Sequence, residues 1–231
     1  MKLKFWLSIF AVAVGLIPSQ GYAEDEAANN RVGVGEYWMF YHVHATDISG
    51  PFTPPGLNLD LKNLSTPLFA YIRRLHGHLW AEAALGIPPL AKTVGKGPAE
   101  LGSVPYNGQV ITTARWFAPS LLLRYEFLDE HYIVRPYLEA GINYVMFYDR
   151  NSTPAGDAGA GGPTRIELPS SVGPAGTVGV ALRLPRNWGM TVSWSASRVR
   201  THLMAITADI QRTSTISFNP QALVIAATYA F

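Results

Sequence analysis

The chain has 231 residues, 48% of them hydrophobic, with 18 Lys and Arg against 16 Asp and Glu and no cysteine. Charge this evenly balanced gives no general case for nucleic-acid binding, which calls for a clear positive excess. Without cysteine there are no disulfides, no thiolate metal sites and no cysteine nucleophile.

Met1-Lys-Leu-Lys4, the apolar run Phe5 to Ile17 and the ending Gly21-Tyr-Ala23 have the three parts of a secretory signal, with cleavage expected after Ala23. The run is 13 residues long, short of the roughly 20 that a spanning helix needs. Residues 1–23 are therefore read as a signal peptide and 24–231 as the mature protein. Removing Lys2 and Lys4 from the 18 basic residues leaves 16, equal to the 16 acidic ones. No later apolar run is long enough to span as a helix, so any membrane crossing has to be made by strands.

After an acidic start (24–30), eight strands are expected at 33–44, 66–73, 78–87, 115–128, 133–148, 171–184, 188–200 and 220–231. The connections 45–65, 88–114, 149–170 and 201–219 are long, whereas 74–77, 129–132 and 185–187 are tight turns. Long and short gaps alternate as they do in an antiparallel outer-membrane barrel, which has short periplasmic turns and long external loops. The long gaps are rich in turn formers, as in Gly50-Pro-Phe-Thr-Pro-Pro-Gly56 and Pro154-Ala-Gly-Asp-Ala-Gly-Ala-Gly-Gly-Pro163, and read as exposed, mobile loops. The glycines at 159–162 lack the Lys-Ser/Thr and the strand-to-helix context of a phosphate loop.

The segment 135–148 has two faces of different kinds. Pro136, Leu138, Ala140, Ile142, Tyr144, Met146 and Tyr148 form a greasy face, and Arg135, Tyr137, Glu139, Gly141, Asn143, Val145 and Phe147 a mixed one. In a barrel wall the greasy face meets lipid.

Val134-Arg-Pro-Tyr-Leu-Glu-Ala-Gly-Ile-Asn-Tyr144, with Trp116-Phe-Ala-Pro-Ser-Leu-Leu-Leu-Arg124 before it and Ser171-Val-Gly-Pro-Ala-Gly-Thr-Val-Gly-Val180 after it, resembles the OmpW family of small outer-membrane barrels. Arg186-Asn-Trp188, Phe218-Asn-Pro220 and the terminal Thr228-Tyr-Ala-Phe231 add to the resemblance, which is strongest from 115 onward. It implies an all-β, eight-stranded antiparallel transmembrane barrel in the outer membrane of a Gram-negative bacterium. It further implies passage of small hydrophobic compounds, and a final aromatic, Phe231, that looks like the signal read by the barrel-assembly machinery. Strand 66–73 and the loop at 88–114 depart from the family pattern, so the substrate is not carried over.

Assigning each inward residue a height places a periplasmic plug of Glu36, Glu82, Arg124, Glu126, Arg135, Glu139 and Arg183 below an apolar lumen. Trp38, Phe40, Trp116, Leu122, Val145, Phe147 and Val224 are the expected lining and ligand-binding residues. Eight strands leave room for little more than their own side chains or one small ligand, which argues against a water-filled pore. The Glu and Arg set reads first as a network that satisfies buried charges. Tyr37, Tyr41, Tyr144, Tyr148, Trp188, Trp194 and Tyr229 are expected to point outward as interface girdles.

His42 with His44, and His76 with His78, lack a third ligand at suitable spacing, so no metal and no cofactor are expected. Arg150, Arg165, Arg198, Arg200 and Arg212 lie at the external rim, either facing lipopolysaccharide phosphates in the outer-membrane lipid or simply solvated. Prolines collect in the outer half of the wall. Pro119, beside the Gly86-Ile-Pro-Pro89 end of the preceding strand, suggests a lateral opening at Gly86, Pro88 and Pro119, which Pro119→Val would close by restoring a ladder bond.

The function expected from these residues is a non-enzymatic channel or binding barrel for small hydrophobic molecules, with lateral exit into the membrane. The alternatives are a structural or receptor barrel recognised through its loops and, further off, an enzyme acting on lipid A. For the enzyme, neither His42 nor His202 can be assigned a serine and an acidic partner.

Overall fold

The computed structural model describes residues 28–101 and 104–231; the expected signal peptide lies outside them. In chain order the strands are β1 (Asn30–Ala45), β2 (Asn58–Leu61), β3 (Leu64–His76), β4 (Leu79–Gly86), β5 (Leu90–Lys96), β6 (Glu100–Leu101), β7 (Val104–Pro105), β8 (Val110–Phe117), β9 (Ser120–Glu126) and β10 (Val134–Ser152). A short helix, α1 (Pro154–Ala160), leads to β11 (Thr164–Glu167), β12 (Ser171–Arg183), β13 (Trp188–Ser197), β14 (Val199–Thr207) and β15 (Ile210–Ala230).

Eight of these strands close a ring in the order β1, β3, β4, β9, β10, β12, β13, β15 and back to β1, every pair antiparallel. Closure removes the unpaired edge that hydrocarbon does not tolerate. The seam is locked at its base, where Asn30 N donates to Phe231 O at 3.1 Å and Phe231 N to Asn30 O at 2.8 Å.

Alternation sorts the side chains against the soluble pattern. Val34, Leu121, Leu123, Leu138, Ile142, Val172 and Val178 are exposed on the outside, whereas Arg31, Glu82, Arg124, Glu126, Arg135 and Glu139 are buried inside. Apolar outside and charged inside suits a wall that faces lipid. Tyr144, Trp188, Trp194 and Tyr229 are exposed outward, and Trp188 meets Tyr229 edge-on at 5.3 Å. Among the described residues no helix is long and apolar enough to cross a membrane.

The long connections are more ordered than their composition suggests. Segment 201–219 is a continuation of two strands: β14 and β15 pair from Val199↔Phe218 up to Thr207↔Ile210, and Val199, Thr201, Leu203, Ser214, Ile216 and Phe218 keep a buried face of period two. Segment 88–114 holds β5 and β8, with β2 added to β5. In 149–170, the Gly-rich stretch taken for a loop forms α1: Thr153 accepts from Gly156 N as N-cap, Pro154 opens the helix and Gly161 closes it in the left-handed region. These pieces carry the wall above the bilayer around Leu59, Ala91, Tyr106, Ile111, Ile166, Leu203 and Ile216. Burial there pushes the Tyr106 phenol up to about 12.

Candidate functional site: a lumenal cavity between a charged floor and an aromatic roof

The floor is built around Arg124 on β9. Its Nε donates to Glu139 Oε1 on β10 at 2.6 Å, its Nη2 donates to Glu82 on β4, and its Nη1 lies 3.7 Å from Glu126 Oε1. Glu126 also takes Arg31 Nη1 at 2.6 Å and Arg135 Nη1 at 2.9 Å. Arg31, Arg124 and Arg135 therefore offset Glu82, Glu126 and Glu139 within one buried set. Burial of ions is tolerable only with such pairing. Two aromatic rings complete the floor: Arg31 lies 3.7 Å from the Trp80 ring centroid and Arg124 3.9 Å from that of Tyr137. Gly179 on β12 leaves the space for Tyr137, since a Cβ there would sit 2.6 Å from its ring. Arg74 on β3 pairs with Glu130 nearer the periplasmic mouth.

Of the expected plug, Glu82, Arg124, Glu126, Arg135 and Glu139 come together as described. Arg183 lies exposed at the lip, donating from Nη1 to Glu130 O at 2.9 Å. Glu36 does not belong to the plug. Along β1 the inward residues are Arg31, Gly33, Gly35, Tyr37, Met39 and Tyr41, which turns Glu36, Trp38 and Phe40 outward. The phase is fixed by the Arg31–Glu126 pair and by Gly35, where a Cβ would lie 2.2 Å from Ile225 O. Glu36 sits opposite Pro67 and Ile225 on the lipid side.

Trp38 and Phe40 are likewise corrected from lumen to outer wall, Phe40 stacking on Trp194 at 5.8 Å. Tyr37 and Tyr41, expected in the girdle, line the lumen instead. Arg31, Trp80 and Tyr137 were not singled out in the sequence as floor residues. Their signal was phase: Trp80 shares the face of Glu82, and Tyr137 lies between Arg135 and Glu139. A lipid-facing carboxylate costs stability, so Glu36→Leu is expected to stabilise the barrel by about 1 kcal/mol, seen as a higher urea midpoint. A loss comparable to breaking a buried ion pair would instead place Glu36 in the floor network.

Above the floor lies a cavity of about 120 Å³, lined by Trp116, Leu122, Val145 and Val224 together with Tyr37, Met39, Tyr41 and Phe218. That is close to the size of a cavity that holds benzene and too narrow for a diffusion pore. Its roof is aromatic: Phe218 meets Phe147 edge-on at 6.0 Å and Tyr41 at 6.2 Å. A separate periplasmic vestibule of about 360 Å³ lies below, and Arg124 lines both spaces.

One side of the cavity reaches a break in the wall. The β4–β9 ladder ends at Ala84↔Ser120 and pairing resumes at Leu90↔Arg115, so residues 85–89 stand unpaired against 116–119. The slip belongs to the β4 side, because β9 and β8 keep one register along β10, from Asn143↔Ser120 to Met146↔Phe117. The freed carbonyls find other donors: Thr66 Oγ1 reaches Ile87 O at 2.6 Å, Arg115 Nη1 reaches Pro88 O at 3.0 Å and Asn143 Nδ2 reaches Ala118 O at 3.2 Å. Leu85, Gly86, Ala118 and Ser120 border both the break and the cavity. Pro119 plays a different part from the one expected. Its carbonyl accepts from Tyr144 N on β10 at 3.0 Å, so its missing N–H also lies on the β10 side. Pro88, whose carbonyl faces Arg115 of β8, is the proline that withholds a donor from the break.

Residues 93–231, more than half of the chain, match the family model described as the OmpW family. The chain belongs to the OmpW family. It is 28% identical to Outer membrane protein W of Vibrio cholerae over 148 residues, covering 64% of this chain and 65% of that protein. To Outer membrane protein W of Escherichia coli K12 it is 29% identical over 121 residues, 52% of this chain and 56% of that protein. The matched stretch thus spans less than two thirds of either relative. Among solved structures, the outer membrane protein OprG of Pseudomonas aeruginosa superposes with a TM-score of 0.79 at 16% identity, covering 89% of this chain and 96% of that one. The outer membrane protein AlkL in lipid bilayers gives 0.66 at 16% identity, covering 93% and 97%. As an OmpW-family barrel, the protein resides in the outer membrane of a Gram-negative bacterium.

Proposed function

We propose that the barrel takes a small apolar molecule through its apolar upper part, holds it in the lumenal cavity and releases it sideways into the membrane through the break between β4 and β9. The observation that carries this reading is that the cavity ends at unpaired wall rather than at an open axial channel. The charged floor disfavours axial passage, since an apolar ligand gains nothing from replacing ion pairs that are already satisfied. The wall break suits apolar traffic because its backbone groups are capped by Thr66, Arg115 and Asn143 and need no water. A binding and release role is favoured over catalysis: His42 and His202 are exposed on the outer wall, and the His202 ring pairs with Thr215 Oγ1 at 3.0 Å.

The test is uptake of an alkane-like probe into liposomes carrying the folded barrel. Pro88→Val adds an N–H aimed across the break and is expected to slow uptake severalfold. Pro119→Val adds a bond toward β10, leaves the break open and is expected to keep the rate. Folded Pro88→Val protein that transports at the original rate would remove the lateral route. Faster uptake of a polar solute than of an apolar one of like size would remove the transport reading altogether.

A further inference from the structure

The outer face of β14, β15 and β1 changes character over a short height. Its lower rows are mostly apolar: Trp194 of the neighbouring β13, Leu223 of β15 and Trp38 of β1 stand in line, and in the next row Phe40 lies opposite Gln221, its ring stacked on Trp194. Directly above, the outward residues become donors. Arg200 stands opposite Ser217, which stands opposite His44; His202 stands opposite Thr215; and Asn219 stands opposite His42. Arg198, exposed at the junction of β13 and β14, continues the same face.

The rim arginines divide by what holds them. Arg212 donates to Thr53 Oγ1 and Ala160 O, Arg150 to Leu168 O, and Arg165 pairs with Glu167 at 2.7 Å. Among the described residues no hydrogen bond or ion pair engages the Arg198 or Arg200 guanidinium. The segments 40–46, 199–207 and 210–221 contain no Asp or Glu, so nothing within the patch neutralises it.

We propose that this surface binds a phosphorylated glycolipid of the outer leaflet, its phosphate on Arg198 and Arg200 and its acyl chains along the Trp194, Phe40 and Leu223 rows. Charge complementarity selects an anion. The planar guanidinium suits phosphate oxygens in a two-pronged grip, and the Ser217 hydroxyl and Asn219 amide add neutral donors. The immediate continuity with the aromatic belt selects an amphiphile over a free anion, because aromatic girdles mark the height of the lipid headgroups. This reading rests on the barrel's place in the outer membrane and is independent of what the lumen carries.

The experiment measures binding to the folded full-length barrel in neutral detergent by native mass spectrometry. The probes are bis-phosphorylated lipid A, its dephosphorylated form and inorganic pyrophosphate. The double variant Arg198→Gln/Arg200→Gln is compared with wild type and with Arg186→Gln, a control in the periplasmic turn. Bis-phosphorylated lipid is expected to bind the double variant at least about tenfold more weakly than wild type and the control, a margin that corresponds to about 1.4 kcal/mol. Dephosphorylated lipid should bind all three weakly and alike. Equal binding of the phosphorylated lipid to wild type and double variant would overturn the site. Pyrophosphate binding as tightly as the lipid would overturn the lipid assignment and leave a free-anion site.

Discussion

Replacing Arg124 with methionine is expected to destabilise the barrel by about 3–5 kcal/mol, the usual cost of breaking a buried ion pair from one side. Methionine keeps the aliphatic stem of Arg124 but ends where its Nε stands, so the guanidinium's contacts with Glu82, Glu139 and the Tyr137 ring are all lost. Glu82 and Glu139 have Arg124 as their ion-pair partner among the described residues, and Arg31 and Arg135 are both committed to Glu126. Two carboxylates would then lie buried without a cation. The readout is the temperature at which the folded, fast-migrating band is lost on an unboiled denaturing gel, together with the urea midpoint. Adding Glu82→Gln and Glu139→Gln to Arg124→Met should restore most of the stability, because neither position then holds a stranded carboxylate while Arg31 and Arg135 keep Glu126. A single Arg124→Met variant as stable as wild type would mean that the floor is solvated and not a sealed network. Because Arg124 also separates the cavity from the vestibule, the shorter Arg124→Ala, made with the same two Glu→Gln changes, should let small polar solutes leak.

The parts of this architecture legible in the sequence were those in which one face differs plainly in chemistry from the other. Segment 135–148 alternates between charged or polar and greasy residues, and its inward set of Arg135, Tyr137, Glu139, Asn143 and Val145 is the one found. In 36–41 both faces are aromatic or large, so hydrophobicity could not choose between Tyr37-Met39-Tyr41 and Trp38-Phe40. Glu36, the one charge in that stretch, points to the wrong phase because it faces the lipid side opposite Ile225 and Pro67. Arg31 and the close approach at Gly35 carried the right phase, but both depend on strands far away in sequence. The upper wall was obscured differently. Pro and Gly cluster in 50–56, 88–98 and 154–163, where strands break, bend and cap, whereas 199–219 holds neither, and there the alternation in 199–207 and 210–219 already said strand. The break beside Pro88 and Pro119 could be located from the prolines alone. The role of each could not, since that depends on which neighbour a backbone group faces.

Substituting Trp116 with aspartate is expected to weaken binding of an alkane-like probe by roughly 10–100-fold, an effect of about 1.4–2.8 kcal/mol. Trp116 is buried, lines the cavity beneath the aromatic roof and stands opposite Phe147 on β10. A carboxylate there would either remain charged and unpaired against an apolar ligand or hold water that the ligand must expel. Trp38→Asp and Phe40→Asp are the matched comparisons. They place the same group on the lipid side, so they should lower the fraction of protein that inserts and folds while each folded barrel binds as before. Val224→Thr covers the case in which Trp116→Asp fails to fold, since it keeps the shape of a cavity residue and adds only a hydroxyl; binding should fall severalfold. Tryptophan-free fluorescence of a bound polyene fatty acid, titrated into each refolded variant, separates affinity from yield. Probe affinity unchanged in both Trp116→Asp and Val224→Thr, or lost equally in the two outer-wall variants, would put the ligand on the outside of the barrel.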